Sequence, residues 1–177
     1  MKLFLSDRTN PLGQALEQLA VSRGCELLAE ESLEVADTVI LCARRAESLT
    51  LEGATAERFL ASVDYHLKTA YFLSRRAAQA MLARGSGSIV LIGSGDADKP
   101  NGRDIGFSAA MGGIRLLFRD LCIYLSGTGV RANLIEPAEA ADTDDPQHTA
   151  QLALSVAGNP LFCGCEIRTD AAHFHQK

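Results

Sequence analysis

The chain has 177 residues, a net charge of −5 and 47% hydrophobic residues, enough for one domain with a sizeable core. The mildly acidic balance disfavours a partner with a phosphate backbone, so no nucleic acid is expected. No apolar run approaches the roughly 20 residues that span a bilayer, and the opening Met-Lys-Leu-Phe-Leu-Ser-Asp-Arg meets charge too early for a secretion signal; the expectation is a single cytoplasmic domain over 1–177 with no membrane contact.

Lys2-Leu-Phe-Leu5 reads as a first strand. Asn10-Pro11 then opens a helix, since Asn is a good N-cap and Pro suits the first helical position. Leu12, Ala15, Leu16, Leu19 and Ala20 form its apolar stripe, and Gly24 ends it. Residues 25–29 make a second strand and 37–43 a buried, β-prone third. One long helix is expected over 56–83, with Phe59, Leu60, Val63, Leu67, Ala70, Leu73, Ala77 and Met81 on its apolar face. Gly85-Ser-Gly87 breaks it, and Ser88 to Ile92 is the next buried strand. A loop rich in Gly, Asp, Asn and Pro fills 93–106. A helix from Phe107 to Leu125 is closed by Gly127 and Gly129, and a strand covers Val130 to Ile135. Asp142 to Gln147 is a polar break, Thr149 to Ala157 a short helix, and Phe162 to Ile167 a last strand. Strands alternating with helices imply an α/β fold with a mostly parallel sheet covered on both faces.

The most specific stretch is 85–137. Gly87-Ser-Ile-Val-Leu-Ile-Gly-Ser94 is followed by Phe107-Ser-Ala-Ala-Met111 and then Gly129-Val-Arg-Ala-Asn-Leu-Ile-Glu-Pro137. With the tail Gly164-Cys-Glu-Ile-Arg-Thr-Asp170, this run resembles the short-chain dehydrogenase/reductase family. The resemblance implies a Rossmann-like, doubly wound parallel sheet in three αβα layers, shortened here to about six strands. It also implies a catalytic tetrad, and Ser94 matches the substrate-polarising Ser. Thirteen residues on, where the family has its general-acid Tyr, stands Phe107; four further, at the family's Lys, stands Met111. A phenyl ring has no proton to give, and a thioether neither lowers a neighbour's pKa nor holds a ribose. The family's helix Asn is replaced by His66, before Leu67.

The family's NAD(P)-binding positions are altered too. Its Thr-Gly-x-x-x-Gly-x-Gly loop reads Ser6-Asp-Arg-Thr-Asn-Pro-Leu-Gly13, in which only the last Gly survives. Those glycines permit close backbone approach to a pyrophosphate. Asp7 should repel one, and Pro11 removes an N–H from the helix start. Arg8 would offset some of this. The turn beside the adenosine half reads Leu41-Cys42-Ala43-Arg44, and the Pro-Gly beside the nicotinamide reads Pro137-Ala138. The chain is shorter than the family's usual members. The deficit falls between Glu30 and Asp37, where a helix and a strand should be, and after Thr143. Glu30 or Glu31 stands near the ribose-binding acid, and surface acids there are also common. No cofactor is expected, or NAD(P) if the family site survives.

Ser94, His66, Asp96 and Asp98 each carry two readings. Ser94 is a catalytic hydroxyl or a turn residue. His66 is a general base or a packed helix residue. The two Asp are acid–base groups or solvated turn formers. The five cysteines, an odd number, argue against a disulfide framework. Cys163-x-Cys165 and His173-x-His175 would each present two ligands together on a strand, but Cys-x-Cys is not the usual zinc spacing, and no metal is expected.

Two functions from different classes follow. The first is a degenerate family member without dehydrogenase activity, a binding or assembly subunit. It would form a homodimer or homotetramer through the helices near 56–83 and 107–126, or a hetero-oligomer with an active relative. Gly112-Gly113 and Ala109-Ala110 would allow close helix approach. The second is an NAD(P)-dependent oxidoreductase with a rearranged site, in which Tyr65, His66 or Tyr71 supplies the proton and Arg8 or Arg44 holds phosphates.

Overall fold

The computed structural model describes residues 1–42, 49–98, 100, 102, 104–137 and 146–169. Among the described residues six strands form one parallel sheet: β1 (Lys2–Leu5), β2 (Glu26–Leu28), β3 (Thr38–Cys42), β4 (Gly87–Ile92), β5 (Val130–Glu136) and β6 (Glu166–Arg168). Their order is β2-β1-β3-β4-β5-β6. The chain runs from β1 outward to β2, then crosses back so that β3 pairs with the other side of β1, with Phe4 opposite Leu28 and Val39. The order therefore reverses between β1 and β3, and in such sheets the crevice above the strand ends at that reversal is where ligands bind.

Helices α1 (Pro11–Ser22), α2 (Ala56–Val63), α3 (Thr69–Arg84), α4 (Ile105–Tyr124) and α5 (Pro146–Gly158) cover the two faces. Alternation along each strand sorts the core. Ile89 and Leu91 of β4 join Leu73, Ala77 and Met81 of α3 and Phe107, Met111 and Ile114 of α4. Val90 and Ile92 of the same strand join Ala15 and Leu16 of α1 and Ala153 and Leu154 of α5. Both faces are apolar because both are covered, hence the near-continuous hydrophobic strands. The architecture is the Rossmann-like three-layer αβα sheet expected from the sequence.

The details differ in three places, each for a local reason. The single long helix expected over 56–83 is divided by a π-helical turn, Asp64–Lys68, between α2 and α3. A π turn adds a residue to the repeat and rotates whatever precedes it. Leu60, assigned to the buried stripe, is consequently 57% exposed. The absent helix and strand after β2 are replaced by one 3-10 helix, Glu30–Val35, whose Leu33 is buried. The last strand is Glu166–Arg168, not 162–167, because Gly164 has φ +71 and turns the chain out of the extended course. Cys163 and Cys165 therefore do not alternate along a strand, which removes the geometry on which a paired-ligand reading rested.

Candidate functional site

The sequence positions candidate residues around the crevice at the carboxyl ends of β1 and β3. Ser6 ends β1; its hydroxyl oxygen accepts the Cys42 backbone N–H at 2.9 Å and so holds the two strand ends together. The turn after it is built around a carboxylate. Asp7 accepts from the Thr9 N–H (2.7 Å), the Thr9 hydroxyl (2.6 Å), the Asn10 side-chain amide (3.1 Å) and the Tyr65 hydroxyl (2.9 Å). Burial raises the Asp7 pKa, but the Thr9, Tyr65 and Asn10 hydrogen bonds outweigh it and hold the carboxyl below its ordinary 3.8. Asn10 caps α1 as the sequence indicated, its side-chain oxygen accepting the Gly13 N–H at 2.7 Å.

The start of α1 is thereby partly occupied from within. A pyrophosphate at a helix N-terminus needs free N–H groups aimed at it. Here the Thr9 N–H belongs to Asp7, Pro11 has none, and the Gly13 N–H belongs to Asn10. Gly13, the one surviving loop glycine, is required by packing alone. A Cβ there would lie 2.1 Å from the Asp7 carbonyl oxygen and 2.9 Å from the Arg8 Cα. Arg8 is also committed: its guanidinium donates to the Leu28 carbonyl and lies 3.6 Å from Glu17. The expectation that Arg8 holds a phosphate meets a side chain already tied to β2 and α1. A dinucleotide pyrophosphate does not fit these residues.

The tetrad positions fare similarly. Phe107 and Met111 are 4% and 1% exposed and belong to the core between sheet, α3 and α4. His66, 3% exposed in the π-helical turn, sets its ring edge-on to Phe107 at 5.2 Å and to Tyr65 at 4.9 Å. The turn thus brings His66 and Phe107 together as a packed aromatic pair. Ser94 caps a 3-10 turn, Gly95–Ala97, its oxygen accepting the Asp96 N–H at 3.2 Å. Glu30 is paired with Arg76 at 3.2 Å, so it is no spare ribose acid. Pro137 is buried at the end of β5. Ala43, Arg44, Ala138, His173 and His175 lie outside the described residues. Among the described residues no group of three or more His, Cys, Asp or Glu side chains is arranged to hold a metal.

A small cleft remains, lined by Ser6, Cys42, Tyr65, His66, Thr69 and Ile114 among others. Its empty volume is about 290 Å³, including space open to solvent. Cys42 keeps partial surface exposure, yet its thiol is pushed up to about 12, by burial first and then by the Asp7 carboxylate. It is no nucleophile at neutral pH.

Asp96 departs from the solvated-turn reading, whereas Asp98 is exposed and paired. Asp96 is 2% exposed. Asp98 binds Arg168 at 2.8 Å and Arg115 at 3.4 Å, and Arg168 foremost holds its carboxyl below the usual carboxylate range. Asp98 belongs to an ion cluster that sequence reasoning missed. At its centre Arg115 grips the buried Glu136 with two bonds, Nε at 3.0 Å and Nη2 at 2.6 Å. A second carboxylate, Glu166, lies 3.4 Å from Arg115 and 3.2 Å from Arg119. The available signal was an acid directly after the apolar Leu134-Ile135 at the end of a buried strand, which demands a partner.

The short chain dehydrogenase family model matches residues 24–151, which is most of the chain. This chain belongs to the short-chain dehydrogenase family. Solved structures agree at the level of fold. Serine dehydrogenase from Escherichia coli superposes with a TM-score of 0.84 at 18% identity, covering 96% of this chain and 97% of that one. An oxidoreductase of the short chain dehydrogenase/reductase family from Burkholderia thailandensis gives 0.79 at 21% identity, with 94% and 89% covered. No curated protein sequence matches this chain. Short-chain dehydrogenases ordinarily bind NAD(P), and in this member the loop that would seat it closes on its own carboxylate.

Proposed function

We propose that this short-chain dehydrogenase family member works as a binding or oligomeric assembly subunit without dehydrogenase activity. The observation that carries the reading is the start of α1, where Asp7 and Asn10 take the Thr9 and Gly13 amides and Pro11 offers none. Phe107 and Met111 support it, since neither can move a proton or hold a ribose. The described residues contain no helix long and apolar enough to cross a membrane, and five free cysteines suit a reducing cytoplasm. Titration with NADH and with NADPH, followed by calorimetry, tests the reading. No binding is expected up to millimolar cofactor; a micromolar Kd for either would overturn it in favour of an oxidoreductase with a rearranged site. That second reading draws on the π-helical turn, which sets Tyr65 and His66 at the cleft. Against it, the Tyr65 hydroxyl already donates to Asp7.

The assembly half of the proposal rests on exposed apolar side chains. Tyr71 and Phe72 on α3 are 47% and 50% exposed, and Leu116, Ile123 and Tyr124 on α4 are 62%, 77% and 68% exposed. A second copy of the chain is the proposed occupant of these faces. Gly113 and Ala110 do not serve that contact as the sequence reading expected. A Cβ on Gly113 would lie 2.6 Å from Leu67 of the same chain, and Ala110 is fully buried.

A further inference from the structure

Cys122 near the end of α4 and the Cys163-Gly164-Cys165 segment ahead of β6 are far apart in sequence but share one carbonyl. The Cys122 Sγ lies 3.9 Å from the Ala132 oxygen, which also accepts the Gly164 N–H at 2.9 Å. A Cβ built on Gly164 would sit 3.8 Å from the Cys122 sulfur, so this thiol lies against the glycine with a cysteine on either side. Glycine at φ +71 both removes the side chain that would cover Cys122 and folds the segment over it. The Cys165 Sγ leans on the Cys163 carbonyl at 3.9 Å. Cys163 is exposed, whereas Cys122 and Cys165 are half-buried, and all three are free.

We propose that Cys122 and Cys163 form a reversible thiol–disulfide site that fastens the end of α4 to the segment leading into β6. Cys163 is the entry thiol because it faces solvent, and Cys122 is the resolving thiol because it waits beneath Gly164. The oxidant is a small soluble disulfide such as oxidised glutathione. The Cys163 thiolate attacks one glutathione sulfur, breaking that S–S bond, and the departing glutathione thiolate takes up the proton Cys163 gave. The Cys122 thiolate then attacks the Cys163 sulfur, breaks the mixed disulfide and releases the second glutathione with its proton. The protein loses two electrons and two protons, and the glutathione disulfide gains them. Burial first, and then the nearby Cys163 and Cys165, raise the Cys122 pKa, which suits a thiol that reacts second. In a reducing compartment such a bond forms transiently, as a redox-responsive element.

The test is intact-mass and peptide mapping of the full chain after exposure to oxidised glutathione. The wild type should lose two hydrogens and yield a Cys122–Cys163 cross-linked peptide that dithiothreitol reverses. Cys122→Ser should instead accumulate a stable glutathione adduct on Cys163, Cys163→Ser should gain no Cys122 disulfide, and Cys25→Ser should behave as wild type. Unfolding curves of the reduced variants establish that each is folded. A wild type carrying only glutathione adducts, a cross-link confined to Cys163 and Cys165, or cross-linking that also recruits Cys25 overturns the proposal.

Discussion

At the scale of single residues, the crevice is governed by where charge is satisfied. Asp7 supplies its own turn with the anion that a helix start attracts, and four donors hold it. Replacing it by Asn keeps the shape and removes the charge, which should cost about 1–2 kcal/mol at neutral pH. The sign of the pH dependence follows from a lowered pKa. The Asp7 contribution is complete above its ordinary value of 3.8 and is lost as pH falls through its lower folded-state value. Urea unfolding of wild type and Asp7→Asn should therefore differ at pH 7 and converge in strong acid; a constant gap at all pH values would contradict the assignment. Arg115 presents the opposite situation, a cation that neutralises a carboxylate 1% exposed. Arg115→Met strands Glu136 and should destabilise by about 3–5 kcal/mol, while the double variant with Glu136→Leu should recover most of that loss. Equal losses in the single and double variants would mean that the pair is not coupled.

Glycines separate two kinds of constraint at the scale of elements. Gly13 opens α1 against the carbonyl of Asp7, and backbone cannot yield as a side-chain tip can. Gly13→Ala should therefore cost about 3 kcal/mol or more, since the loop must be displaced. Gly112, mid-way along α4, has nothing within 4 Å of a Cβ position, and Gly112→Ala should stabilise the monomer by about 1 kcal/mol through helix propensity alone. Thermal unfolding of the two variants checks both, and a tolerated Gly13→Ala would show that the tight turn at 7–8 is not needed. The π-helical turn at 64–68 is the element least visible in the sequence. Periodicity indicated helix through that region, and either side of the turn is helix. The extra residue that exposes Leu60 and aims His66 at Phe107 comes from packing against α4.

For the whole molecule, the assembly proposal concerns the exposed faces of α3 and α4. Their exposed aromatic and aliphatic side chains form the apolar faces that a second copy would bury. Light scattering should report a dimer or tetramer. Phe72→Asp with Ile123→Asp should give monomers of unchanged helical content, because both side chains are exposed. A monomeric wild type at tens of micromolar would remove the assembly proposal while leaving the cofactor titration untouched.

Sequence by itself determined the first five strands, their alternation with helices, the cap at Asn10, and that Phe107 and Met111 carry no titratable group. These depend on local periodicity, on turn chemistry and on which side chains can carry a proton. Tertiary structure decided where the polar groups found partners. Asp7 was legible as an unwelcome charge in a phosphate loop, but its bond to Tyr65 joins residues 58 apart. Arg115 and Glu136, Asp98 and Arg168, and Cys122 and Gly164 likewise meet only because the parallel sheet brings distant strand ends and helix ends to one edge. A hydrogen bond or a thiol contact is a matter of a few ångströms, and no spacing along the chain encodes such a distance between segments that the fold itself brings together.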